Sequence, residues 1–279
     1  MNRLKIFLFL FFISLYGISV YAQVIPQPED DKPRKKILKI ALDKLGQKVR
    51  DLNDDEEYAD TPAKGWFAIM RQVRDKKLNR KSAVDSMNSF IEELNLYIIK
   101  NNPKVYKKSE WVFPVKGYTS SAIGGKNGSG YVVADFDFFD GNTGGHPAHD
   151  IFISDKNQDC LDDYTDKPVK ILSMSGGIVV ETRKNWTSEM MDIKGGNIVY
   201  IYDNFTDALF YYAHMNKVEV SVGDFVYPGM ILGTMGRTGK NAFPSRSPTH
   251  LHIMYVKNYN GDIKSANLYD DLLKAKIIK

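Results

Sequence analysis

The five histidines of this 279-residue chain all fall between positions 146 and 252. They sit in three short patterns: His146-Pro-Ala-His149-Asp150, Tyr212-Ala-His214 and His250-Leu-His252. Imidazole nitrogens and carboxylate oxygens are the usual ligands of zinc, and a catalytic zinc keeps one position open for water. His146, Asp150 and one histidine of the His-Leu-His pair would supply three protein ligands, leaving other imidazoles to move protons. Segment 249–256 has the apolar alternation of a strand, which puts His250 and His252 on one face and Leu251 on the other. Asp150 opens the apolar run Ile151-Phe152-Ile153, and Gly144-Gly145 before His146 permits close backbone approach. His149 would point away from Asp150 once that strand has begun, so it stays outside the ligand set. Each pattern alone also describes an ordinary half-buried histidine; it is their combination that points to metal chemistry.

The elements that would position these residues divide the chain in two. Leu38, Leu42, Leu45, Val49 and Leu52 recur at three- and four-residue steps, the period of an amphipathic helix. Thr61-Pro62 reads as a helix start, with Trp66, Ile69, Met70 and Val73 as its apolar stripe. Ser82 with Asp85 resembles a capping box opening a third helix, which stops near Asn101-Asn102-Pro103. Residues 35–102 are thus a small helical region, and 103–110 a linker. Past Lys108 the pattern changes to short apolar runs between Gly, Asp, Asn and Pro, as at 130–135, 171–181, 197–202 and 208–212. This predicts a mainly β, antiparallel domain over 111–279, giving an α+β chain overall. The glycine-rich stretch 233–240 lacks the Gly-Lys-Ser/Thr ending of a phosphate loop.

The first 22 residues read as a secretory signal: Arg3 and Lys5, an apolar run from Ile6 to Val20, then Val20-Tyr21-Ala22 before a mature start at Gln23. The alternative is an uncleaved anchor, for which the run is barely long enough. Residues 23–34 are a polar, Pro-containing leader. The expected location is periplasmic or extracellular, with no stable membrane anchor after cleavage. The formal charge of +4 falls to about +2 once Arg3 and Lys5 are removed, which argues neither for nor against an anionic partner, and no charge bias marks the helical region as a nucleic-acid or membrane arm. Cys160 is the single cysteine, so no intramolecular disulfide can form; it reads as a small buried side chain.

Taken in order, these segments resemble the lysostaphin/LytM-type zinc endopeptidases. That family has a His-x-x-x-Asp pair, a Tyr-x-His-Leu segment, a Val-x-x-Gly-Asp-x-Val-x-x-Gly stretch and a closing His-Leu-His. Here the third element is Val220-Ser-Val-Gly223-Asp224-Phe-Val226-Tyr-Pro-Gly229, and the resemblance covers roughly residues 111–258. It implies that His146, Asp150 and His252 are zinc ligands and that His214 and His250 are the two catalytic histidines. It further implies an antiparallel sheet with a groove walled by loops, one zinc per chain and a peptidoglycan peptide as substrate. A non-catalytic family member that binds peptidoglycan or activates a hydrolase is the alternative. Such a protein typically lacks ligands, whereas all five positions are filled here.

Departures from the family pattern are Ala148 for Gly, Met215 for Leu, and Ile253-Met254 for an aromatic–acidic pair. Three loops, 154–166, 182–196 and 240–248, look long. The loop 155–166 has the oxygen spacing of a calcium site. However, Cys160 stands at the glycine position and Asp166 replaces the final Glu, so a solvated acidic loop is the better reading. The helices each carry an apolar stripe that must be buried, on the β domain or on a protein partner.

Overall fold

Two antiparallel sheets and a helical pair make three layers in the computed structural model, which describes residues 61, 63–140 and 144–279. The predicted helix at 35–52 and the amino-terminal segment lie outside those residues. All described residues belong to one unit, Asp54–Lys279.

The helical layer is α1 (Lys64–Arg74) and α2 (Arg80–Asn101). Helix α1 begins slightly later than the Thr61-Pro62 signal suggests. Helix α2 is capped by Asn79 and not by Ser82. The Asn79 backbone is extended, and its side chain accepts a hydrogen bond from Ser82 N–H at 2.9 Å, which places Ser82 inside the first turn. The predicted stop holds: Asn102 adopts the left-handed conformation at φ 45° and closes the last turn.

The strands are β1 (His149–Phe152), β2 (Lys170–Leu172), β3 (Gly177–Arg183), β4 (Asn197–Asp203), β5 (Ala208–Met215), β6 (Lys217–Val218), β7 (Phe225–Val226), β8 (Ile231–Thr234), β9 (His250–Tyr259) and β10 (Asp262–Ser265). The large sheet runs β1-β9-β5-β4-β3-β7 with β10 also on β9, and the small sheet runs β2-β8-β6. A short helix α3 (Tyr269–Lys274) follows. Two strand expectations need correction. The run 171–181 is divided between the sheets, because the backbone turns through Ser173–Gly176 before β3. Segment 130–135 forms only an isolated bridge, Val132 to His146, since Ala134 takes a positive φ of 45° that ends pairing.

Alternation along the central strands builds two cores. Leu251, Ile253 and Tyr255 of β9 join Phe210 and Tyr212 of β5 and Val199 and Ile201 of β4 against the small sheet. Met254 and Val256 of β9, with Leu209, Tyr202, Ile178 and Val180, face α1 and α2 on the opposite side. Trp66 of α1 is fully buried there, its ring 5.3 Å from Tyr200, and its indole N–H donates to Glu181 at 2.8 Å. The helical pair therefore covers the same face of the large sheet from which His250 and His252 project.

Candidate metal and catalytic site

Register brings the predicted site together. In the antiparallel pair β1–β9, Asp150 lies directly opposite His252, and Phe152 opposite His250. Directly opposed residues share a face, so carboxylate and imidazole meet at the sheet surface while Leu251 stays fully buried beneath. His146 arrives from a loop held to Val132 by backbone bonds in both directions. Gly145, at φ 82°, makes this approach possible: a Cβ there would lie 2.5 Å from the Val132 carbonyl oxygen.

Three atoms converge. Asp150 Oδ1 lies 3.1 Å from His146 Nε2 and 3.0 Å from His252 Nδ1, and the two nitrogens are 3.1 Å apart. The other nitrogen of His146, Nδ1, donates to the Gly130 carbonyl at 2.8 Å. That leaves Nε2 as a bare electron pair pointing at a carboxylate and a second imidazole. Such a convergence needs a proton or a cation between its members. Burial alone would lower the His146 pKa and raise that of Asp150. The hydrogen bond to Asp150 instead pushes His146 above its usual range, against desolvation. Burial would raise Asp150, but His146 and His252 outweigh it and hold the carboxyl well below the ordinary range. Two imidazoles and one carboxylate with a free side match the donor set of a zinc site that keeps a position open. Among the described residues, this is the group of His, Cys, Asp and Glu side chains close enough to hold an ion.

His214 reaches the same surface by a different route. Strand β5 runs on through Met215, further than the aromatic run predicts. Plain alternation would send His214 to the small-sheet side with Tyr212. Instead its φ is 65°, and the β4–β5 register shifts between Asn197 and Val199. This bulge, one left-handed residue in a strand, turns the ring onto the metal face. The His214 ring is 4.9 Å from that of His250 and 5.8 Å from that of His252. Its Nδ1 donates to the Thr238 carbonyl at 2.8 Å, and His250 Nδ1 donates to that of Pro248 at 2.7 Å. Both rings thus expose an unprotonated Nε2; that of His250 is 3.7 Å from Asp150 Oδ1. Burial, then the neighbouring imidazoles, lowers His214 to about 3, and burial lowers His250 despite Asp150. Both are neutral bases at ordinary pH.

The remaining residues separate from this cluster. His149 is buried between Tyr131 and Tyr269, with Nε2 bonded to Asn267 at 2.9 Å. Cys160 is half-buried, not fully enclosed, because its backbone turns through φ 69° at a loop surface. In the loop 155–166 the carboxylates are spent locally. Asp155 accepts from the amides of Asp159 and Cys160 and from the Thr249 hydroxyl, Asp163 from Ser154 and Lys156, and Asp162 from Tyr118 and Thr165. The family departures are packing residues: Ala148, Met215, Ile253 and Met254 are all buried. Sequence reasoning missed the carbonyls of Gly130, Thr238 and Pro248, since a backbone acceptor leaves no trace in residue type. It also missed Tyr211, whose ring lies edge-on 6.0 Å from His252.

The antiparallel sheet thus bears a His-Asp-His cluster that could hold a metal ion, beside two neutral histidines. Residues 160–263 match the model of peptidase family M23, which spans less than half of the chain. The match includes His214, His250 and His252; Asp150 and His146 precede it, Asp150 joining the site through the β1–β9 pairing and His146 through its loop bridged to Val132. The chain is 29% identical over 114 residues to glycyl-glycine endopeptidase ALE-1 of Staphylococcus capitis, covering 41% of this chain and 28% of that protein. It is 34% identical over 91 residues to lysostaphin of Staphylococcus simulans, covering 33% and 16%. It therefore spans less than a third of the length of either relative. Among solved structures, the lysostaphin catalytic domain from S. simulans shares 24% identity, with a TM-score of 0.34 over 51% of this chain and 86% of that one. A zinc-containing peptidase from Vibrio cholerae shares 19%, with a TM-score of 0.37 over 62% and 41%.

Proposed function

We propose that this chain is an exported, zinc-dependent endopeptidase that hydrolyses peptide bonds in bacterial cell-wall peptidoglycan. The observation that carries this reading is the convergence of His146, Asp150 and His252 beside two imidazoles whose Nδ1–H groups are already committed. In this reading His146 Nε2, Asp150 Oδ1 and His252 Nδ1 hold the metal. Zinc, when bound there, supplies a Lewis acid for the scissile carbonyl and lowers the pKa of water toward ~7. The Nε2 lone pairs of His214 and His250 are the groups available to take the proton of the attacking water. Once protonated, they can deliver it to the leaving amine and donate to the developing oxyanion. No Glu adjoins a ligand histidine, so histidine is the base the site offers.

The peptidoglycan substrate rests on the family and on the cleavage in the name of ALE-1. Export rests on the segment 1–22; no helix of the described residues is long and apolar enough to cross a membrane. Incubation of residues 23–279 with purified cell-wall fragments, both directly cross-linked and glycine-bridged, tests the reading by mass spectrometry of the products. Zinc-dependent release of peptide fragments is the expected result. Fragments that bind but stay intact under every condition would instead make the protein a cell-wall binder.

A further inference from the structure

The segment between β8 and β9 contains Pro244 and Pro248 and forms little regular backbone pairing, yet it presents the carbonyl that orients His250. At its centre is Arg237, which is 7% exposed. Its guanidinium donates through Nη1 to the Ser247 carbonyl at 2.5 Å and to Thr249 Oγ1 at 3.3 Å. Through Nη2 it donates to the carbonyls of Pro244 at 3.0 Å and Phe243 at 3.4 Å. Thr249 in turn donates a hydrogen bond from its hydroxyl to Asp155 Oδ2 at 2.6 Å, so a carboxylate closes the chain that the cation opens. The fixed fork of a guanidinium can hold several acceptors at set angles, which a flexible ammonium cannot. Residues 247 and 249 flank Pro248, so Arg237 grips the chain on both sides of the peptide whose carbonyl receives His250 Nδ1–H at 2.7 Å.

His214 provides an internal contrast. Its acceptor, the Thr238 carbonyl, also neighbours Arg237, but Thr238 has a second anchorage. Its Oγ1 donates to the Met215 carbonyl and accepts from Asn197 N–H, both at 2.9 Å. His146 is oriented by Gly130, on a different loop. Loss of the guanidinium should therefore loosen one of the three imidazoles.

We propose that Arg237 is a positioning residue for His250: by holding the 243–249 loop it keeps His250 in the Nδ1–H tautomer with Nε2 free toward the metal cluster. The catalytic consequence rests on the endopeptidase reading; the structural one does not. The test uses zinc-loaded residues 23–279 as wild type, Arg237→Ala and Arg237→Lys. Zinc content, long-range ¹H–¹⁵N spectra of the imidazoles and steady-state kinetics are measured on each. Both variants should keep zinc and the wild-type ring signatures of His146 and His214. His250 should show a mixed or averaged tautomer, and kcat should fall about 10- to 100-fold with KM little changed. Millimolar guanidinium should restore part of the kcat of Arg237→Ala and none of that of His250→Ala. An unchanged His250 signature in either folded variant would overturn the proposal, as would equal disturbance of all three histidines. If Arg237→Ala does not fold, the Lys variant, which keeps the charge but not the fork, decides the same question. If the wild type hydrolyses nothing, the endopeptidase reading fails, and the spectra alone judge the role of Arg237.

Discussion

His252 lies at the intersection of two strand pairings, opposite Asp150 on one side and Ala213 on the other. It therefore has little freedom to be replaced by a neighbour. His252→Ala should lose zinc to a mild chelator, because two remaining ligands rarely retain it; metal analysis after dialysis checks this, and full retention would remove His252 from the ligand set. His214→Ala and His250→Ala should keep zinc and the fold while hydrolysis falls ~10²–10⁴-fold, the usual contribution of a general acid or base. Equal background turnover in wild type and both variants would favour a binding role. Gly145→Ala should act on the metal indirectly. A methyl group 2.5 Å from the Val132 carbonyl, at a φ of 82°, must push the loop away and carry His146 with it. Weaker zinc binding with an otherwise native spectrum is the expected result.

At the scale of elements, β1 and β9 present Asp150, His250 and His252 as their period predicts, and β5 departs from its period. There the bulge at His214 buys a ligand-facing imidazole with one residue in a sparsely populated conformation. The opposite end of the same β4–β5 hairpin has its own electrostatic signature. Asp203, 1% exposed, accepts from Phe205 N–H and the Thr206 hydroxyl to close the turn. Burial nonetheless raises its pKa to about 6, the hydrogen bonds opposing. Because the folded pKa exceeds the unfolded one, the native state binds more protons between pH ~4 and ~6, and stability falls as pH rises through that window. The shift corresponds to roughly 2–3 kcal/mol. Asp203→Asn keeps the turn's hydrogen-bond geometry without the charge. Its melting temperature should be less sensitive to pH between 4 and 7 than that of wild type. An identical pH profile in both proteins would show that Asp203 does not titrate in this range.

At the scale of the molecule, the helical pair and the metal cluster share one face of the large sheet. Trp66 packs on Tyr200, Tyr200 on Tyr211 at 4.5 Å, and Tyr211 against His252. Arg80 at the start of α2 pairs with Asp137 and Asp262, both at 2.8 Å, although such exposed pairs contribute little on their own. Removing residues 23–103 would uncover Ile178, Val180, Leu209, Met254 and Val256. Residues 104–279 should consequently melt far lower than residues 23–279 or aggregate. Trp66→Ala should alone cost about 3–5 kcal/mol in denaturant unfolding. A truncated protein of equal stability and higher activity would make the helices an inhibitory pro-segment instead of part of the fold.

Residue type and spacing determined much of this protein. Histidines two apart in a strand must share a face, a glycine pair must precede a tightly approaching loop, and apolar steps of three and four must cover a core. Those are local periodicities, legible without knowing what lies opposite. They placed the two described helices and the mainly antiparallel β character, and residue type singled out the histidines and Asp150, whose separate roles came only from the family resemblance. Tertiary structure decided the rest. Which residue faces His252 depends on strand register, the turning of His214 onto the face of the His-Asp-His cluster depends on a bulge against β4, and the tautomers depend on three carbonyls, one from the loop at Gly130 and two from the β8–β9 segment. Asn79 displaced Ser82 as a cap because capping is settled by backbone angles that both residues could have adopted. Arg237 reads in sequence as one more basic residue in a glycine-rich loop. Only the folding of the 243–249 loop around its guanidinium turns it into a buried clamp, since backbone acceptors acquire their positions from the fold and not from residue type.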